Sequence, residues 1–168
     1  MFKKISVIGN SGAGKTTLSI NLGKALNLPV THIDSIQFTN NMQIRNLDET
    51  RTELNKITSQ EQWIIDGYGP LDILEQRLLK SDVIVFIDFP IWRHYFWNLK
   101  RQIVNYAKDP SLLTIKHSLT VFKKMWKIHK KMRPEIIKLL SSKYLHNKVQ
   151  YIRSIKDLDN FVYSLQKK

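Results

Sequence analysis

Gly9-Asn10-Ser11-Gly12-Ala13-Gly14-Lys15-Thr16 decides how the rest of the chain is read. Before it, Ile5, Val7 and Ile8 form a short apolar strand. After it, Leu18, Leu22 and Leu26 recur four apart, the spacing of one helix face. Strand, loop and helix together satisfy the pattern G-x-x-x-x-G-K-[ST] at every required position. Glycines let the backbone curl so that successive N–H groups point inward at phosphate oxygens. The helix that starts near Lys15 adds the positive end of its dipole. The stretch predicts a nucleotide-phosphate site built from Gly9, Asn10, Ser11, Gly12, Ala13, Gly14, Lys15, Thr16 and Thr17. In such a site the lysine reaches the β- and γ-phosphates of ATP, and the Thr16 hydroxyl sits on Mg²⁺.

Outward from this loop the chain alternates apolar strands with helices. Leu28 to Asp34 reads as a second strand ending on a carboxylate, followed by an aperiodic loop over 35–46. Asp48 to Ser59 suits a polar helix. Trp63-Ile64-Ile65-Asp66-Gly67 is a third strand, and Pro70 opens a helix to about Lys80. Val83 to Asp88 is the most apolar strand. Residues 91–107 read as an aromatic helix, broken at Asp109-Pro110. Leu112 to Met132 reads as a basic helix, and Pro134 opens another through Leu140. Val149 to Ile152 is a fifth strand. Ser154 and Asp157 are spaced as a capping box before a last helix with Leu158, Phe161, Val162 and Leu165 on its apolar face. Five strands alternating with helices predict an α/β fold, a parallel sheet covered on both faces. Ligands of such sheets bind outside the carboxyl ends of the strands, where the loop, Asp34, Asp66 and Asp88 all stand.

At 168 residues the chain reads as one domain, 1–168, with 91–133 as a basic helical arm or lid. It has no cysteine, which excludes disulfides and thiolate-bound metals. The apolar run after Met1-Phe2-Lys3-Lys4 is too short for a secretory core, and no stretch suits a membrane span, so the cytoplasm is expected. The net charge is +13 and lies mostly in one place: residues 91–133 hold 11 Lys/Arg against Asp109 alone. A segment so charged meets polyphosphate, nucleic acid or another acidic surface.

The carboxylates divide the chemistry. Asp88 ends an apolar strand, as a metal-holding acid does. Phe89 follows it, where ATPases that hydrolyse for work often carry a water-positioning glutamate, so transfer to a bound acceptor is favoured over hydrolysis. Asp34 and Asp66 are candidates to grip or deprotonate an acceptor hydroxyl or to act on the metal's outer shell; the alternative is turn-forming aspartates. Gly67 and Tyr68 extend that acceptor site, Tyr68 either stacking on the substrate or standing as a surface aromatic. Arg101, and after it Arg93, are the arginines placed to offset charge on a transferring phosphoryl group, against the alternative of a solvated helix face. Leu112, Ile115, Leu119, Phe122 and Trp126 are expected to pack as a core stripe, and Trp63, Trp92 and Trp97 to lie in the core as well. His94, His117 and His129 have no metal-ligand spacing.

The segments GNSGAGKTTL, HIDSIQF, WIIDGYG, the block from Arg77 to Pro90, LKRQ and Arg133-Pro134 occur in an order that resembles the DNA topology modulation proteins, small P-loop proteins similar to adenylate and shikimate kinases. The resemblance implies a nucleoside-monophosphate-kinase-like core with a lid between the fourth and fifth strands. It implies Asp88 near Mg²⁺, Arg101 in the lid, and the turn from Arg153 to Asp157 near adenine. The chain departs from that pattern at Phe38-Thr39-Asn40-Asn41, where a Trp and a Pro-Gly are usual, and at Tyr68, where an Asn is usual. Its arm is also rich in lysine rather than arginine, which lacks the bidentate fork. The leading expectation is an ATP- and Mg²⁺-dependent kinase of a small-molecule acceptor, a nucleotide among the candidates. The alternative is a nucleotide-regulated nucleic-acid-binding protein using 91–133, with a polynucleotide kinase joining the two.

Overall fold

The computed structural model describes residues 2–39, 43–108 and 115–166. Five parallel strands, β1 (Lys4–Gly9), β2 (Val30–His32), β3 (Trp63–Asp66), β4 (Val83–Ile87) and β5 (Val149–Ile152), lie in the order β2-β3-β1-β4-β5. The strand carrying the glycine loop is therefore central, between β3 and β4. Its alternation sorts the layers. Ile5 and Val7 pack with Leu18 and Leu22 of α1 (Lys15–Leu26) and Phe161 of α8 (Ile155–Gln166). Ile8 packs on the other face with Leu74 and Leu78 of α4 (Leu71–Lys80) and Ile136 and Leu140 of α7 (Arg133–Leu140). A third apolar group joins Ile33 and Ile36 of α2 (Ile33–Gln37), Leu54 of α3 (Leu47–Thr58), and Trp63 and Ile65 of β3. Strands buried on both faces read as continuous apolar runs, as these do.

Most expected elements are present, and the capping box forms: Asp157 accepts from the Ser154 N–H at 2.9 Å while the Ser154 hydroxyl accepts from the Asp157 N–H at 3.1 Å. Three expectations are corrected. The second strand stops at His32, and Asp34 sits in the first turn of α2 rather than at a strand end. The arm is α5 (Ile91–Lys108) and α6 (Ile115–Lys127), but α6 does not end at a loop. A π-helical turn, Ile128–Met132, carries it directly into α7. Pro134 explains the irregularity, because it lacks the N–H that would bond to Lys130 and its ring crowds that carbonyl. The expected core stripe is also not the buried one: Met125 is fully buried, whereas Leu119 is 54 % and Trp126 47 % exposed, and Trp92 is 61 % exposed. The break at Asp109-Pro110, Leu112, and Asn40-Asn41 lie outside the described residues.

Gly23 brings α1 onto β2. A Cβ there would stand 2.4 Å from Val30 Cγ2 and 3.1 Å from the Leu28 carbonyl oxygen. Overpacking of this kind costs typically about 1–3 kcal/mol. Gly23→Val should lower unfolding stability by that amount in urea denaturation, with the dependence on denaturant unchanged.

Candidate functional site

The loop after β1 closes because its glycines accept left-handed backbone. Gly14, the residue before α1, has φ 80°, and its carbonyl takes the first helical bond, from Leu18 N–H at 3.0 Å. Gly9 is fixed by proximity instead: a Cβ would lie 2.6 Å from the Ile87 carbonyl oxygen of β4. Asn10 braces the loop from below. Its Oδ1 accepts from Ser11 N–H at 2.8 Å, and its Nδ2 donates to the Met125 carbonyl of α6 at 3.2 Å. The Lys15 ammonium donates to the Asn10 carbonyl at 3.0 Å. Burial lowers the proton affinity of Lys15, while Asp66 and then Asp34 support its charge and Arg101 opposes it. Those influences place two carboxylates and one guanidinium around one ammonium.

These groups share a cavity of about 1350 Å³. Residues 9 and 11–17 form its floor, and Asp34, Asp66, Gly67, Tyr68 and Arg101 line it. Asp66 is buried, and its Oδ2 meets His32 Nδ1 at 2.7 Å, so β2 orients the carboxylate that ends β3. Below them Arg77, almost fully buried, donates to the Gly67 carbonyl at 2.7 Å; burial works against its charge and Asp66 supports it.

Four expected residues are not part of this lining. Asp88 is instead gripped by the Arg133 fork, Nε to Oδ1 at 2.6 Å and Nη2 to Oδ2 at 2.9 Å. Each of its oxygens accepts one bond of that pair, and Asp88 stands with Asn10, Tyr68 and His129 around a separate small cavity. Arg93 is held by aromatic rings, its guanidinium carbon 5.2 Å from the Phe89 centre and 5.8 Å from the Trp97 centre. Arg153 lies over Tyr151 at 4.8 Å. Asn10 supports the loop without lining the cavity.

The structure also brings in residues the sequence did not mark. Gln37, one helical turn after Asp34, lines the cavity, as do Trp97, Lys124, Met125, Ile128 and Met132 from the arm. Leu158, Asn160 and Tyr163 of α8 line its far end beside β5. The i, i+3 spacing of Asp34 and Gln37 was a legible signal only once α2 was known to be helical. No group of His, Asp and Glu able to hold a metal by itself occurs among the described residues. The features that fit phosphate are a glycine loop at the cavity floor, a helix start and a partly buried lysine. Thr16, with its hydroxyl at the cavity floor, is the residue that would hold Mg²⁺ together with phosphate oxygens.

At the level of sequence the chain matches no family model and no curated protein. Solved structures do resemble it. Shikimate kinase from Acinetobacter baumannii in complex with shikimate is 16 % identical, covering 100 % of this chain and 96 % of its own, with a TM-score of 0.64. A gluconokinase from Sinorhizobium meliloti is 12 % identical over 98 % of this chain and 92 % of its own, TM-score 0.53. Deoxyadenosine kinase from M. mycoides with bound dATP is 14 % identical over 96 % and 98 %, TM-score 0.52. The likeness is one of fold, and the chain has the P-loop kinase-like fold.

Two measurements probe the charged groups under the loop. Arg133→Ala would leave Asp88, 6 % exposed, without its partner; because Arg133 itself is 37 % exposed, water recovers part of the loss. We expect about 2 kcal/mol of destabilisation in urea unfolding, below the full cost of stripping a wholly buried pair. His94 is buried, its Nε2–H donating to the Phe89 carbonyl at 3.1 Å, and burial pushes its pKa down to about 4. Below about pH 6.5 the unfolded chain binds a proton that the folded chain refuses. Stability should therefore fall between about pH 6.5 and 4, by up to about 3 kcal/mol, and His94→Gln should flatten that part of the stability–pH curve.

Proposed function

We propose that this protein is an ATP-dependent phosphotransferase that moves the γ-phosphoryl group to a hydroxyl of a small-molecule acceptor. The observation that carries this reading is the cavity itself: phosphate loop, Lys15, Asp34, Asp66 and Arg101 line one space. Fold neighbours named as kinases support it.

In this reading the amides of Gly12 and of Gly14 to Thr16 hold the donor phosphates, and the Thr16 hydroxyl would hold Mg²⁺, which when bound neutralises charge on the β- and γ-oxygens. His32 positions Asp66. Asp88, expected beside the metal, pairs with Arg133 in this structure. The acceptor hydroxyl oxygen attacks the γ-phosphorus in line. The bond from phosphorus to the bridging oxygen breaks, ADP leaves, and the hydroxyl proton passes to Asp34. Lys15 and Arg101 offset charge as it spreads over the equatorial oxygens. Residues 91–133 act as a lid of the single domain, and Phe89 and Trp97 present apolar surface that excludes water. The adenine lies toward Leu158 and Tyr163 rather than on Arg153. The resemblance to topology modulation proteins accords with this core and adds no substrate. Among the described residues no helix is long and apolar enough to cross a membrane, and we place the activity in the cytoplasm. No observation favours the nucleic-acid reading of the arm, one of whose lysines, Lys124, lines the cavity.

An ATP-consumption assay over nucleosides, nucleotides and sugars tests this. Acceptor-dependent turnover should fall about 10²–10³-fold in Lys15→Ala and about 10²-fold in Arg101→Ala, with the fold intact by circular dichroism. ATP hydrolysis at one rate with and without every acceptor would overturn the proposal.

A further inference from the structure

The charged side chains that line the cavity bear on the acceptor. The sheet order puts β5 and α8 on one side of the phosphate loop and β3 and β2 on the other. The donor base belongs on the α8 side, so the acceptor belongs beside Asp34, Gln37, Asp66 and Tyr68. Among the described residues the cations lining the cavity are Lys15, Arg101 and Lys124. All three belong to the phosphate region. Lys15 bonds to the loop itself, Arg101 acts on Lys15 electrostatically, and Lys124 adjoins Met125, whose carbonyl the loop's Asn10 holds.

The charged side chains that line the acceptor end are Asp34 and Asp66, both within the influence of Lys15. Behind that end Arg77 is buried and donates to the Gly67 carbonyl, and beyond Tyr68 the fork of Arg133 is filled by Asp88 in bidentate geometry. An anionic acceptor would have to lie against two carboxylates, or draw Arg133 away and strand Asp88, whose side chain is 6 % exposed. Hydroxyl groups meet the opposite situation. They donate to Asp34 and to Gln37, and a ring finds the Tyr68 face.

We infer that the acceptor is an uncharged polyhydroxy ring compound of nucleoside or sugar type, not a phosphate ester or a carboxylic acid. The inference rests on the phosphotransferase reading and adds the charge class of its substrate. Gln37 is then a specificity-determining position.

Matched pairs that differ by one anionic group provide the test: adenosine and AMP, guanosine and GMP, thymidine and TMP, glucose and glucuronate. Each is titrated calorimetrically into the full chain saturated with Mg²⁺ and a non-hydrolysable ATP analogue. In at least one pair the uncharged member should bind at least 10-fold tighter than its anionic counterpart. Gln37→Arg should narrow or reverse that ratio by about 10-fold while leaving affinity for the ATP analogue unchanged. Tighter binding of the anionic member would overturn the inference and leave the phosphotransferase reading standing. Binding of neither member of any pair would also overturn it. Failure of the analogue itself to bind would overturn both.

Discussion

Lys15 is an ammonium that the fold removes partly from water, and the surroundings are arranged to tolerate that. It begins α1, bonds back to the loop carbonyl of Asn10, and stands within the influence of Asp66 and Asp34. Those carboxylates come from different segments, so the ammonium requires that β3 and α2 both reach the carboxyl edge of the sheet beside β1. The strand order supplies this by setting β1 between β3 and β4. The tight approach of Gly9 to Ile87 and the left-handed turn at Gly14 are local conditions of the same arrangement.

Local grammar made much of this legible. The loop needs its glycines, the strands are apolar on both faces, and Ser154 with Asp157 caps a helix in isolation from the rest. Features decided by distant partners were not legible. Asp88 ends the most apolar strand, and its partner, Arg133, lies 45 positions later. Arg93 looks available until Phe89, Trp92 and Trp97 surround it. His32 carries no pattern of its own and acquires a role only when β2 pairs with β3 and brings it to Asp66.

The arm shows how periodicity can identify a helix without identifying its inner face. Leu119 and Trp126 recur at helical spacing as a core stripe would, but Met125 is the residue that goes inside. The π turn at Ile128–Met132 follows, and it re-aims the residues after it. Ile128 and Met132 come to line the cavity, while Arg133, immediately after, reaches Asp88. A proline at the junction gives the turn a covalent cause.

A hydrogen bond from the Asn10 Nδ2 to the Met125 carbonyl joins the phosphate loop to α6. Occupancy of one and posture of the other therefore draw on a common free energy. Whatever reshapes the loop at Asn10 biases where the arm rests, and by reciprocity an arm held in one posture alters how readily the loop accepts a guest. A carboxamide thus serves the molecule as a mechanical linkage, transmitting the state of its centre to its most basic region.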